Sequence, residues 1–183
     1  MMFRSVALFA HVVGMLVLFV GLAFEWLSLE SLQRSYPAPA APAIAVLRAL
    51  PRYMAGAVAL IVVSGVYLAA RVGVFDLGWV RVSLGSMVGM GILGGPVIRS
   101  QMARVLRTRD DDRQGMPSSV RIDASHPLLR ASLRTRVAVA LAIVYLMIGK
   151  PDLGESLLII VAALAAGAVT SVPLGRTEIE HSA

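Results

Sequence analysis

The stretch SVALFAHVVGMLVLFVGLAF, from Ser5 to Phe24, contains 20 residues and no Asp, Glu, Lys or Arg. A helix that crosses the hydrocarbon core of a bilayer needs roughly 20 mostly apolar residues. The stretch therefore predicts a transmembrane helix. It is longer than the apolar region of a signal peptide, roughly 7–15 residues, and no small-residue cleavage pattern follows it. We expect this helix to be retained.

Four more stretches without charged side chains follow, at Tyr53–Ala70, Val82–Ile98, Val137–Gly149 and Ser156–Gly175. Hydrophobic residues make up 57% of the 183 residues, and the mean hydropathy is +0.77. One soluble core of this size would not bury so much apolar surface. The sequence predicts an all-α fold, a single transmembrane domain over residues 1–183 with five helices in a bundle. We place the spans at about 5–27, 52–71, 80–99, 127–149 and 151–174, with a mobile cytoplasmic loop at about 105–124.

Alternate loops of a five-span protein lie on the same side of the membrane. The side of the N-terminus then carries four of the 17 Lys and Arg residues, namely Arg4, Arg71, Arg81 and Lys150, and the other side carries thirteen. Because Lys and Arg concentrate in cytoplasmic loops, we predict the N-terminus outside and the C-terminus inside. The Arg- and Ala-rich composition suggests a bacterial inner (plasma) membrane. The arginines would bind anionic lipid headgroups, and without a recognition motif they do not indicate nucleic acid as a partner.

Glycines recur four residues apart in the third predicted span, as Gly85 and Gly89 and again as Gly91 and Gly95. Such spacing lets two helix backbones approach closely in a membrane. The favoured interpretation is packing against other helices of the same chain. Homodimerisation is an alternative, and a hinge or substrate path at the Gly–Pro break after Gly94 is another.

One histidine, His11, lies at membrane depth, and Met15 follows one helical turn later. Imidazole and thioether groups suit Cu(I) or haem iron, so the pair is a candidate metal site. The structural alternative is a histidine that is hydrogen-bonded within the bundle. The chain contains no cysteine, which excludes disulfides, thiolate ligands and c-type haem attachment.

Glu25 ends the first predicted span. A carboxylate near the hydrocarbon is costly unless it is paired, and Arg52, Arg134 and Arg136 are expected at the same depth. The structural interpretation is an ion pair that joins the first span to the second or fourth. The functional alternative is proton or cation handling by Glu25.

The only lysine of the chain lies in IGKPDLGE, Ile148–Glu155, between the last two predicted spans. Gly149 suits a left-handed residue after a helix, Lys150 complements the helix C-terminus, and Pro151 suits the first turn of the next helix. Asp152 would favour the start of that helix. The stretch therefore predicts a tight hairpin, and the alternative is a site where Lys150 and Asp152 meet His11.

Three features resemble an uncharacterised bacterial family of predicted integral membrane proteins: HVVGMLVLFVG at His11–Gly21, SGVYLAA at Ser64–Ala70 and Trp79. The resemblance covers about residues 1–105 and implies a membrane topology, with no activity attached. The histidine in the first span is also similar to that of copper-resistance-D-type membrane proteins, whose further intramembrane histidines this chain lacks.

No catalytic triad, phosphate-binding loop, metalloprotease helix or carboxylate pair is visible in the sequence. We predict a non-enzymatic protein without a cofactor, either an accessory or scaffold component or a small binding module. Its partners would be the lipid bilayer and a second copy or another membrane protein. One alternative is a small-solute or proton transporter that uses Glu25 and the inner arginines. The other is haem or copper handling through His11 and Met15.

Overall fold

The fold is all-α in the part of the chain that the structure, a computed structural model, describes: residues 2–34, 41–91 and 127–169. Five helices lie in these ranges: α1 at Met2–Arg34, α2 at Ala41–Val72, α3 at residues 78–91, α4 at Pro127–Gly149 and α5 at Leu153–Val169. The predicted loop at 105–124 and the glycines after Gly91 lie outside the described residues.

Three of the helices are long and apolar enough to cross a membrane, over Met2–Ser31, Ala45–Val72 and Arg130–Gly149. A fourth, α5, is apolar but shorter, at 17 residues. Their outward surfaces carry many exposed leucines, valines and phenylalanines, as expected for surfaces that face lipid. These observations indicate a membrane protein.

The second helix begins at Ala41, earlier than the predicted start at residue 52, and Pro51 lies inside it. Proline removes one hydrogen bond of the helix ladder. The turns on the N-terminal side of Pro51 nevertheless pack into the protein, because Leu47 is fully buried and Leu50 almost so. Tertiary packing therefore holds the helix through the proline.

The core forms where α1 packs along α2 and α4 packs along α5, with α1 also contacting α4. Leu18, Leu22, Ile61 and Leu146 are among its buried members. Gly14 is a point of close approach, since a β-carbon there would lie 2.8 Å from the Ile61 side chain and 3.3 Å from the Ala57 carbonyl oxygen. Small residues that allow such approach hold membrane helices together by packing.

The glycines that the sequence singled out make few contacts with the described residues. A β-carbon at Gly85 or Gly89 would meet no described atom within 4 Å, and at Gly91 it would make an ordinary 3.9 Å contact with Val58. Gly95 lies outside the described residues. Packing of this stripe inside the chain or between two copies therefore stays a prediction, because the described neighbours of Gly85 and Gly89 do not test it.

The turn between α4 and α5 differs from the predicted hairpin at three residues, Gly149, Lys150 and Pro151. Gly149 ends α4, and Lys150 takes the left-handed conformation with a φ of 48°. The Lys150 amide donates to the Leu146 carbonyl at 2.9 Å, the bond that closes this type of helix end. Pro151 then precedes the helix, and Asp152 caps it by accepting a hydrogen bond from the Glu155 amide at 2.8 Å.

Candidate functional site

A cavity of about 350 Å³ lies between α1, α2, α3 and α4. Its wall on α1 runs from Arg4 through His11 to Phe19, on residues three or four apart that share one face of the helix. Fifteen residues of helix correspond to about 22 Å. The cavity is therefore long. It starts at the end of the bundle that holds Arg4 and Lys150, called here the Lys150 end, and reaches the middle of α1.

The cavity wall is apolar except at a few positions. The side chains with polar or charged atoms are those of Arg4, His11, Trp79, Ser83 and Lys150. Small-molecule sites have this character: a mostly apolar cavity, typically about 300–1,000 Å³, with a few placed polar groups. We therefore take this cavity as the candidate functional site.

Two hydrogen-bond donors of the wall have no partner among the described residues. Trp79 Nε1 and Ser83 Oγ are both buried and make no such hydrogen bond. The two residues are four apart on α3, so they share one face of the helix. A buried donor without a partner costs about 1–3 kcal/mol. A ligand with an acceptor oxygen would remove this cost.

His11 is held by one of its two ring nitrogens. Nδ1 lies 3.0 Å from the Ile61 carbonyl oxygen and 3.1 Å from Ser64 Oγ. A carbonyl oxygen can only accept, so Nδ1 carries the proton and donates it, and in the neutral ring Nε2 carries the lone pair. No described residue forms a hydrogen bond with Nε2. The structure thus supports the hydrogen-bonded histidine and also leaves one coordinating atom on the cavity wall.

The second half of the predicted metal pair, Met15, also lines the cavity. Two methionines from other helices join it there, Met87 of α3 and Met147 of α4. The sequence singled out neither of them, because only the packing of three helices brings these thioethers to one cavity.

Glu25 lies away from this cavity, near the other end of the bundle. Its carboxylate is buried and accepts a hydrogen bond from the Arg136 guanidinium of α4, and the two side chains are 5% and 11% exposed. This ion pair is the structural arrangement expected for Glu25, with α4 as the partner helix. Arg52 is exposed and forms no ion pair with a described residue.

Arg134 is the neighbour of this pair on α4. Its guanidinium lies over the Trp26 ring, 5.9 Å from the ring centre. Both residues line a second, smaller cavity of about 180 Å³ together with Glu30 and Arg130. We call this part of the molecule the Trp26 end.

The predicted polar residues therefore do not form one site. His11 and Lys150 line the large cavity, whereas Glu25, Arg134 and Arg136 lie toward the Trp26 end. Fourteen residues of α1, about 21 Å, separate His11 from Glu25. Asp152 does not line the large cavity, because its carboxylate caps α5.

Sequence reasoning missed Arg4, Trp79 and Ser83 as members of a site. In the sequence, Arg4 contributes only to the charge balance that predicts orientation, and Trp79 only to the family resemblance. The spacing of Trp79 and Ser83 shows that they share a helix face, but a sequence does not show what that face meets.

Comparison with protein-family models, with curated proteins and with solved structures finds no match to this chain. The site is therefore interpreted from its own residues.

Proposed function

We propose that this protein is a non-enzymatic binding module of a bacterial inner membrane, which takes up a lipophilic small molecule in the cavity between α1, α2, α3 and α4. It crosses the bilayer five times with the N-terminus outside. The apolar helices α3 and α5 complete the set of spans in this topology. The arginines of the opposite side bind anionic lipid headgroups.

The observation that carries the proposal is the pair of buried donors beside an apolar cavity. Trp79 Nε1 and Ser83 Oγ lack partners in the described part of the chain, and both residues line the cavity. Proteins rarely bury such groups without a compensating partner. A carbonyl or carboxyl oxygen on a ligand pairs with both donors while the rest of the ligand fills the apolar wall.

A catalytic role for the same residues lacks an activated nucleophile. Ser83 Oγ makes no hydrogen bond to a described residue, and the Nδ1 of His11 is engaged by Ile61 and Ser64. A serine nucleophile needs a base within hydrogen-bond reach. The arrangement therefore favours binding over chemistry.

Tryptophan fluorescence tests the proposal, because the chain has only two tryptophans. Trp79 lines the large cavity, and Trp26 lines the second one. The experiment uses a Trp26→Phe variant in phosphatidylcholine nanodiscs. We expect that molecules with a dibrominated acyl chain, added as a low fraction of the lipid, quench Trp79 fluorescence and that this quenching saturates. Adding Ser83→Ala should weaken this binding about fivefold and raise the unliganded Tm, since a lost hydrogen bond costs about 1 kcal/mol and a buried unpaired hydroxyl also disappears.

The matched control is a Trp79→Phe variant, which reports Trp26 alone. Trp26 is 42% exposed, so random contact with brominated chains quenches it at least as strongly as it quenches Trp79. Quenching of Trp79 that rises linearly, without saturation, would contradict a binding site.

A second candidate function is binding of Cu(I), favoured by the hydrogen bond at His11. Histidines that bind metals commonly donate their other ring N–H to a backbone carbonyl or carboxylate, as Nδ1 does here toward Ile61. Thioethers are soft ligands that select Cu(I), and Met15, Met87 and Met147 line the same cavity. Haem ligated by two histidines would need a second histidine, and His11 is the only histidine among the described residues.

Copper binding is measured with a chromophoric Cu(I) competitor on the reduced protein in detergent. We expect His11→Ala and Met147→Leu each to weaken Cu(I) binding at least tenfold, because each removes a ligand from a site of few ligands. Met54→Leu is the matched control, since Met54 packs near Gly21 and does not line the cavity. Equal affinity in all three variants excludes this site, and a Soret band in the purified protein would favour haem instead.

Transport through Glu25 receives less support. The carboxylate is buried against Arg136, and Glu25 lines neither of the two cavities described above. A carboxylate that carries protons or cations needs a path for them, whereas a paired and enclosed one serves to join helices.

A further inference from the structure

The backbone at Lys150 has a conformation for which glycine is usually chosen. Its φ is 48°, in the left-handed region, where a β-carbon crowds the following carbonyl oxygen. Helices commonly end with glycine at this position, and asparagine is the usual second choice. Here the position carries the only lysine of the chain. The backbone conformation therefore does not favour a lysine here, and we look for its role in the side chain.

The lysine side chain lies at the opening of the large cavity. Lys150 and Arg4 are both exposed, both line the cavity at the same end, and neither forms an ion pair with a described residue. Three described acids lie near this end, and none of them lines the cavity: Asp76 pairs with Arg81, Asp152 caps α5, and Glu155 lies in the first turn of α5. The opening thus presents two positive charges and no described negative charge in its wall.

Trp79, which carries one of the two unpaired donors, lies next to the turn that contains Lys150. A β-carbon at Gly78 would lie 2.6 Å from Leu153 Cα, so the start of α3 is in close contact with the residues that follow Lys150. Trp79 is the next residue along α3, and its Nε1 is the donor without a partner. Ser83 lies one turn deeper. The two positive charges and the two unpaired donors therefore lie at the same end of the cavity, and the rest of its wall is mostly apolar.

We propose that the ligand of this cavity is an anionic single-chain amphiphile, whose head group binds Lys150 and Arg4 and whose chain lies along α1 past His11. This inference rests on the proposed binding function and specifies its ligand class. A carboxylate or a phosphate monoester fits equally, because both present oxygens that accept from Lys150, Arg4 and the Trp79 indole.

The head group supplies the selectivity in this arrangement. The chain of a membrane amphiphile is already in an apolar solvent, so moving it from lipid into the cavity yields little free energy. A charged oxygen that pairs with two cations and buried donors yields more, since such hydrogen bonds are the strong ones. The site therefore distinguishes an anionic amphiphile from an uncharged one with the same chain.

The test uses the Trp26→Phe protein in phosphatidylcholine nanodiscs and two probes, dibromostearate and its methyl ester. We expect dibromostearate to quench Trp79 with at least about tenfold higher affinity than the ester, because only the acid carries the charge. Lys150→Gly should weaken dibromostearate binding about tenfold, leave the ester unchanged, and keep or raise the Tm. Competition by oleate and by oleoyl lysophosphatidate then separates a carboxylate from a phosphate head group.

The matched control is Arg71→Gln, which removes an exposed cation that stacks on Tyr67 and does not line the cavity. It should leave both affinities unchanged, which excludes a general effect of surface charge. Equal affinity of acid and ester, with no effect of Lys150→Gly, overturns the anionic ligand and leaves the binding module intact. Failure of both probes to quench Trp79 saturably overturns the binding module itself.

Discussion

Glu25→Gln is expected to destabilise the bundle by about 3–5 kcal/mol, since it leaves the buried Arg136 guanidinium without a counter-charge. The two side chains are 5% and 11% exposed, so solvent does little to compensate either group. The loss is measured as a change in the free energy of unfolding by SDS titration in mixed micelles. Since this pair joins α1 to α4, we also expect α4 and α5 to become accessible to protease before α1 and α2.

The exposed ion pair of the same protein is the control for this experiment. Asp76 and Arg81 are 93% and 60% exposed, and exposed pairs contribute about 0–1 kcal/mol. Asp76→Asn should therefore change stability by less than that. A double variant, Glu25→Leu with Arg136→Met, should recover most of the stability lost in Glu25→Gln, because neither charge is then left unpaired. A double variant that is no more stable than Glu25→Gln shows that the pair has a role beyond joining the helices.

Gly78→Ala is expected to lower the free energy of unfolding by about 1–3 kcal/mol, the usual cost of overpacking. The new β-carbon would lie within 2.7 Å of Cα, Cβ and N of Leu153, and backbone atoms cannot move aside as a side chain can. The displacement also separates Trp79 from the Lys150 turn. We therefore expect Gly78→Ala to weaken saturable quenching of Trp79 in the fluorescence measurement as well.

Gly85→Ala is the matched control on the same helix. A β-carbon there meets no atom of the described residues within 4 Å, and alanine is a better helix former than glycine by about 1 kcal/mol. The variant should be as stable as the wild type or more stable. If Gly85→Ala is destabilised and Gly78→Ala is not, the assignment of close packing to Gly78 is wrong.

The helices themselves follow from sequence because their cause is local. A run such as Ser5–Phe24 can satisfy its backbone hydrogen bonds in lipid only as a helix, whatever surrounds it. Pro127 likewise suits the first turn of a helix, and α4 begins there.

Positions at helix ends were harder to predict because two neighbouring residues compete for each role. Gly149 has the better intrinsic preference for the left-handed position, yet Lys150 holds it. The α4 ladder continues one residue further, to the hydrogen bond that the Lys150 amide donates to the Leu146 carbonyl. At Pro51 the local cost of a proline is likewise outweighed by burial of Leu47.

The candidate site lay beyond prediction for a geometric reason. Sequence spacing shows that Trp79 and Ser83 share a face, and that His11 and Met15 share another. It does not show which faces meet, since helix rotation in a bundle depends on the summed packing of all neighbours. Glu25 shows the same difficulty. The sequence offers three arginines at similar depth as its ion-pair partner, and only the packing of α4 against α1 selects Arg136.

The sequence by itself predicts the helices, their approximate bounds and a membrane setting. These three features follow from apolar runs, prolines and charges, which act on residues close in the chain. The packing of the five helices created the rest: the long cavity, the Glu25–Arg136 pair and the contact of Gly78 with Leu153. These features join residues that are far apart in the chain. Lys150 belongs to both groups, because a tight turn between the last two helices follows from local sequence and its place at the cavity opening follows from the packing of four helices.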